Sequence, residues 1–320
     1  MKNENRRPSV SALLPIYNGA TWFDTSIPII QATLGLHDEL IIVDDGSEDS
    51  TWNKIKEVSK NDSRIVPVRQ PRSGIVKALN LGIKISSREW IARFDIDDKY
   101  PVDRLDRQFE IAEKYPNVGV IFSDYEIWRR GMDYVGTIPS PLFDLQTKIS
   151  LYNSQRTAHP SALIRKSAAV EVGGYQQFEF PAEDLGLWIR ISNLAELRSS
   201  PHIGLLYNRN QNSVSVINRK SALEKREMLR KYIKVDRDEL ERLFLDLKNH
   251  RLYEGCRDSS IRSFLFAVDT FTFAASESSG IVGLTEKAVK RLSLNMITRN
   301  LFNSEVRDFS YCYLKRRFPL

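Results

Sequence analysis

The sequence predicts an α/β fold: a mostly parallel sheet flanked by helices, with a helical region after it. Three observations carry that prediction. Short apolar runs alternate with longer helical stretches through the first hundred residues, the pattern of strands joined by crossover helices. The first, second and fourth of those runs end in polar or acidic loops. The length, 320 residues, is enough for one large α/β domain plus an appendage.

The elements follow in order. Ser9 to Pro15 reads as a strand, and Ile16-Tyr17-Asn18-Gly19 as the loop after it. Thr21 to Thr33 reads as a helix, and Glu39 to Val43 as a second strand ending in Asp44-Asp45-Gly46-Ser47. Ser50 to Lys60 is helical, Ile65 to Val68 is a third strand, Gly74 to Ser86 is helical, and Trp90 to Phe94 is a fourth strand. In parallel sheets of this kind ligands bind outside the carboxyl ends of the strands. The loops bearing Tyr17, Asp45, Gly74 and Asp97 all follow strands.

The fourth strand ends in Asp95-Ile96-Asp97-Asp98 and the chain then breaks at Pro101. Carboxylates spaced i, i+2 at a strand end point the same way. Such a pair can share one hard cation, Mg²⁺ or Mn²⁺, whose shell is completed by water and phosphate oxygens. Acidic residues after a strand also serve as turns or helix caps, and the four residues alone do not choose between these uses.

Bulk properties fit a globular protein without a membrane span. Apolar residues make up 42% of the chain, an ordinary share, and no apolar run reaches the eighteen or so residues of a span. Met1 to Pro8 lacks the apolar core of a signal peptide. Cys256 and Cys312 form neither a metal spacing nor a disulfide framework, so a cytoplasmic location is expected. Lys and Arg outnumber Asp and Glu by 21 to 14 from Arg219 onward, so the net charge of +6 lies in the last third. The chain is therefore divided near Arg219, into 1–218 and a mainly helical region, 219–320. The basic, aromatic end, Tyr311 to Phe318, reads either as a solvated helical face or as a surface that docks on anionic membrane at its inner face. A nucleic-acid partner is not expected, because the excess is modest and no binding motif accompanies it.

Several strings in one order carry a resemblance: Leu13 to Gly19, Ile41 to Ser47, Gly74 to Asn80 and Ile91 to Asp98, then His159-Pro160-Ser161, Gly173-Gly174-Tyr175 and Ala182 to Trp188. Together, over about Pro8 to Ser215, they resemble the family 2 glycosyltransferases of the GT-A fold, a Rossmann-like sheet with flanking helices. Each string is degenerate alone; the ordered set is specific.

The resemblance implies transfer of a sugar, with inversion, from a nucleotide-diphosphate donor, most often UDP-linked, to a hydroxyl of a glycan or lipid-linked glycan. It assigns Pro15, Tyr17, Asp45 and Ile96 to the nucleotide sugar. Asp45 would accept the imide N–H of uracil; a tight turn with Asp49 or Ser50 capping the next helix is the other reading of that loop. Asp97 is the expected ligand of a divalent cation, Mn²⁺ or Mg²⁺, with Asp95 on the metal or the ribose. Arg72, Gly74 and Lys77 stand at a loop-to-helix start, where backbone N–H groups favour an anion, or are plain surface charge. Asp184 is the family's base, beside Glu183; both also suit a helix N-terminus. His159 and Trp188 fall in the acceptor half, and Asp98 is left between a supporting role and an acceptor contact.

Two departures stand out. Many relatives carry an acid where this chain has Gly186, and a His where it has Asn210; Arg209 is placed to share a phosphate with Asn210. A sugar-nucleotide-binding partner subunit without turnover is therefore the alternative. Other enzymes fit less well. A dehalogenase-type phosphatase needs Gly-Thr after the Asp loop, where this chain has Asp98-Lys99. A dinucleotide oxidoreductase needs G-x-G-x-x-G after the first strand, where this chain has Ile16-Tyr17-Asn18-Gly19.

Overall fold

The computed structural model describes residues 7–129, 133–153, 155–209, 217–235 and 238. Eight strands form one mixed sheet: β1 (Val10–Ile16), β2 (Glu39–Asp44), β3 (Ile65–Arg69), β4 (Trp90–Arg93), β5 (Val118–Arg129), β6 (Asp133–Ile138), β7 (Leu163–Arg165) and β8 (Glu196–Arg209). The order is β3-β2-β1-β4-β7-β5-β6, with β8 also paired to β5. The first four strands are parallel, joined by α1 (Ala20–Thr33), α2 (Thr51–Asn61) and α3 (Ile75–Ile85). β7 then runs antiparallel to β4 and β5, β6 antiparallel to β5, and β8 parallel to β5 along its length. The remaining helices are α4 (Arg104–Lys114), α5 (Asp144–Asn153), α6 (Lys166–Glu171), α7 (Glu183–Ile191) and α8 (Arg219–Arg230).

The strands read as continuous apolar runs where helices cover both faces. Every residue of β1 is buried, and so are Leu40 to Asp44 of β2. α3 turns Val76, Leu79 and Ile83 inward at helical spacing. α4 buries Leu105 and Phe109, with the Phe109 ring edge-on to Trp90 at 5.8 Å. α4 also carries a buried Arg104, which donates to the Arg93 carbonyl at 3.1 Å and stacks on Phe94 and Tyr100. Burial brings its pKa down to about 10. That cation braces the end of β4, where the carboxylates begin.

The chain divides into two compact units, Met1–Ser140 with Thr157–Tyr232, and Pro141–Arg156 with Ile233–Leu320. The first runs past Arg219, because α8 packs against α7. In the second, α5 is described, with an i,i+4 pair between Lys148 and Asp144 at 2.7 Å. The tail from Tyr311 lies outside the described residues.

Candidate active site

The carboxyl ends of β1, β2 and β4 carry the polar loops, and hydrogen bonds between loops fix each one. After β1, Asn18 takes a left-handed conformation and its N–H donates to the Ser47 hydroxyl at 2.9 Å. The next N–H, of Gly19, reaches Thr51 Oγ1 at 2.9 Å. After β2, Asp44 is fully buried, accepts the Ser47 N–H at 3.1 Å and pairs with Arg69 at 3.1 Å. Asp49 accepts the N–H groups of Thr51 and Ala20, so the loop also caps two helices.

Asp45 is 5% exposed. Its Oδ1 accepts the Ser73 N–H at 2.8 Å and the Gln70 amide at 2.7 Å, and its Oδ2 accepts the Gly74 N–H at 2.9 Å. These three bonds use most of a carboxylate's roughly four acceptor positions. Asp45 thus moors the loop before α3. Gly46 beside it has φ +72, and a Cβ there would stand 2.6 Å from the Arg72 backbone nitrogen. The mooring holds Arg72 with its guanidinium 3.3 Å from the centre of the Tyr17 ring. Tyr17 and Arg72 are therefore together at the surface, with Lys77 exposed on the first turn of α3. Pro15 lies inside β1, paired with Val43.

At the end of β4, Arg93 is buried and binds the Asp95 carboxylate at 2.8 Å. Burial is the largest influence and works against its charge, but Asp95, Tyr175 and Tyr100 together outweigh it, so its pKa lies above the ordinary arginine value. Tyr100 accepts the Asp95 N–H at 2.7 Å. Asp95, Ile96 and Asp97 are half-buried, whereas Asp98 is 1% exposed. Asp98 Oδ1 accepts the Asn208 N–H of β8 at 2.7 Å, and Oδ2 is buried with no hydrogen-bond partner. Burial, then the negative charges of Asp95 and Asp97, push its pKa well up. Among the described residues no group of three His, Cys, Asp or Glu is arranged to hold a metal ion unaided. The charges of Asp95 and Asp97 acting on Asp98, whose own Oδ2 is orphaned, fit a hard cation that Asp95 and Asp97 would hold, with phosphate and water completing its shell.

A second group of side chains comes from the chain on both sides of β7. Asn80 of α3 clamps the Tyr175 backbone twice, donating to its carbonyl at 2.8 Å and accepting its N–H at 2.9 Å. The Tyr175 hydroxyl lies 2.8 Å from His159 Nε2, and the His159 ring stands edge-on to Trp188 at 5.8 Å. Burial and the Arg93 charge hold the His159 imidazole well below its usual pKa, so it is neutral. Glu183 and Asp184 open α7. Glu183 is 8% exposed, and burial together with the Asp184 charge raises its pKa to about 7. Asp184 is half-buried and its Oδ1 accepts the Leu185 N–H at 2.7 Å. Arg226 of α8 faces the Asp184 charge, while burial draws its pKa down. Arg209 is exposed at the end of β8, and Asn210 lies outside the described residues.

The profile of the family described as "Glycosyl transferase family 2" matches residues 11–173, more than half of the chain. The chain belongs to glycosyl transferase family 2. The match covers the loops after β1, β2, β3 and β4 and stops before Glu183. An uncharacterized glycosyltransferase of Rickettsia conorii is 26% identical over 224 residues, 65% of this chain and 36% of that protein. A putative teichuronic acid biosynthesis glycosyltransferase of Bacillus subtilis is 33% identical over 107 residues, 33% of this chain and 42% of that one. The chain thus spans well under half the length of either relative. Among solved structures, S. aureus TarS 1-349 in complex with UDP-GlcNAc aligns with a TM-score of 0.58 at 14% identity, over 97% of this chain and 91% of that one. A mannosyltransferase from Pyrobaculum calidifontis in complex with GDP-Man and Mn²⁺ aligns with a TM-score of 0.59 at 15% identity, over 98% and 88%. At such identities the likeness shows the GT-A fold alone.

Sequence reasoning missed four residues that shape this family 2 site. Arg93 was signalled by a charge inside an apolar strand, and Asn80 by an amide on the apolar side of α3. Arg226 lay beyond the boundary drawn at Arg219. Glu179 had only the bare Gly186 as its sign.

Proposed function

We propose that this chain transfers a sugar from a nucleotide-diphosphate donor, of the UDP-linked class, to a hydroxyl of a glycan, with inversion at the anomeric carbon. The observation that supports the reading is that the Tyr17 and Asp95–Asp97 loops follow neighbouring parallel strands, with Tyr17 stacked on Arg72 and the Asp95 charge felt at Glu183. Tyr17 and Arg72, stacked on each other, offer the base an aromatic and cationic platform, and Asp45 holds the Arg72 loop and offers its remaining acceptor position. Asp95 and Asp97 hold a divalent cation, Mn²⁺ or Mg²⁺. When bound, the cation offsets charge that develops on the diphosphate. Lys77, the start of α3 and Arg209 with Asn210 supply further positive or donor groups to the phosphates.

Asp184 takes the proton of the acceptor hydroxyl. Glu183 beside it is the more buried acid, its pKa raised to about 7 by burial and by the Asp184 charge. Neutral His159, Tyr175 and Trp188 form the wall against which the acceptor lies. The Bacillus relative named for teichuronic acid biosynthesis supports a cell-surface polysaccharide, capsule or lipopolysaccharide O-chain, as the acceptor class. The basic end of the chain supports a peripheral site of action at the inner membrane face. No helix among the described residues is long and apolar enough to cross a membrane.

The test is a panel of UDP- and GDP-sugars, with and without Mn²⁺, read by nucleotide release and by product mass. Release of UDP at a metal-dependent rate is expected from one UDP-sugar. Nucleotide binding without turnover across the panel returns the partner-subunit reading.

A further inference from the structure

Gly186 stands one turn into α7, where glycine is a poor helix former. The reason lies across from it. A Cβ at Gly186 would overlap the Glu179 carboxylate, closer than carbon and oxygen can approach. Glu179 is 2% exposed and comes from the 3-10 turn Gln177–Glu179 ahead of the helix. It therefore puts an acid where the side chain of position 186 would have been.

That acid has one charged partner, Arg190, one turn further along α7 from Gly186. Arg190 also donates to the Gly174 carbonyl at 2.5 Å. Gly174 precedes Tyr175, the residue clamped by Asn80 and bonded to His159. The Glu179 carbonyl, for its part, accepts the N–H of Ala182, the residue before Glu183. The Glu179 carboxylate thus packs on Gly186 in the first turn of α7 and pairs with Arg190 in its last, and Arg190 reaches the Tyr175 loop. Its Oε2 and the Arg190 Nε are buried with no hydrogen-bond partner. A buried ion pair left partly unsatisfied is weak support for stability. A glycine and an incomplete ion pair are each poor local choices, and they are consistent only with each other.

We propose that Glu179 is a positioning residue: through its contact with Gly186 and its Ala182 hydrogen bond it fixes the first turn of α7, with Glu183 and Asp184, and through Arg190 it locks the helix to the Tyr175–His159 wall. The proposal rests on the reading of Asp184 as the base, and the experiment separates the two. Four variants are compared with the wild type: Glu179→Gln, Glu179→Ala, Gly186→Asp, and Glu179→Ala with Gly186→Asp. In the double variant an aspartate at 186 faces Arg190 at i,i+4 and occupies the vacated space. Steady-state kinetics with the best nucleotide sugar, and hydrogen exchange of the Ala182–Leu187 amides, are measured on the full chain, with Asp184→Asn alongside.

Glu179→Gln is expected to lower kcat on the order of 10- to 100-fold with donor KM within about twofold, as misplacement of a reacting group does. Exchange at the start of α7 should speed up. Gly186→Asp alone should be impaired too, because two carboxylates collide, and the double variant should regain most of the kcat and the protection. An unchanged kcat in Glu179→Gln, unchanged exchange, or a double variant no better than its two singles combined overturns the proposal. If Asp184→Asn keeps full transfer, the base assignment fails, and the exchange data still decide what Glu179 does. A lower Tm alone, with kcat intact, makes the pair merely structural and also overturns it.

Discussion

At the scale of single residues the two acids that open α7 differ in kind. Asp184 is half-buried and Glu183 almost wholly so, with a pKa raised to about 7 by burial and by its neighbour. Asp184→Asn keeps the shape and removes the base. Transfer should fall by about 10² to 10⁴, with nucleotide affinity unchanged in a calorimetric titration. For Glu183 the sign is opposite to that of a salt-bridged acid. The folded pKa lies above the reference 4.5, so the folded state binds the extra proton, and its stabilising effect is complete below about 4.5 and lost as pH rises through about 7. Glu183→Gln should remove that dependence and gain on the order of 2 kcal/mol over the wild type at pH 8. Chemical denaturation at a series of pH values measures it; parallel curves for the two proteins would refute the assignment.

At the scale of elements, the first four strands and three helices were legible and the later strands much less so. β1 to β4 and α1 to α3 begin and end within about two residues of the positions read from the sequence, because each is a plain apolar or helical run. β5 opens on the apolar Val118–Phe122 but goes on through Ser123, Asp124 and Glu126, and β8 carries Pro201 and Gly204, so neither reads as one run over its length. Their pairing is set by partners far along the chain, which no local pattern reports. The same division holds in the site. Tyr17, Asp45, Asp95 and Asp97 follow strands and could be found by position. That Asp45 would moor Ser73 and Gly74 could not, since the hydrogen bonds bridge separate loops. The mooring gives a prediction about the loop. Gly46→Ala forces a Cβ against the Arg72 backbone at φ +72, which should cost about 2 kcal/mol of stability. It should also move Arg72 off Tyr17 and weaken UDP binding. Thermal unfolding with and without UDP would read both effects, and UDP affinity equal to the wild type would detach the stack from the nucleotide.

At the scale of the whole molecule, the proposed function links metal and nucleotide binding to the stability of the fold. A ligand that binds only the folded chain raises its Tm. UDP should therefore stabilise the protein more with Mn²⁺ than without, and Asp97→Ala should abolish the metal-dependent increment while the free protein keeps its Tm. An intact increment in that variant would place the cation elsewhere. The basic end gives a second expectation. Sedimentation with liposomes should require anionic lipid and fade at high salt, each Lys or Arg near the surface contributing about 1 kcal/mol. Equal sedimentation with neutral vesicles would leave that end a solvated face.

The long parallel pairing of β5 with β8 sets a timetable for synthesis. β1 to β4 can pair with one another once the chain has been made as far as Arg93. β5 follows, but the partner that runs its full length ends at Arg209, opposite Arg129. At ordinary elongation rates of about 5–20 residues per second, those roughly 80 residues take about 4 to 16 seconds. During that interval a twelve-residue strand has one edge unpaired, the situation that invites other chains to add to it. A nascent chain stalled between those points should engage chaperones more strongly than one released beyond Arg209.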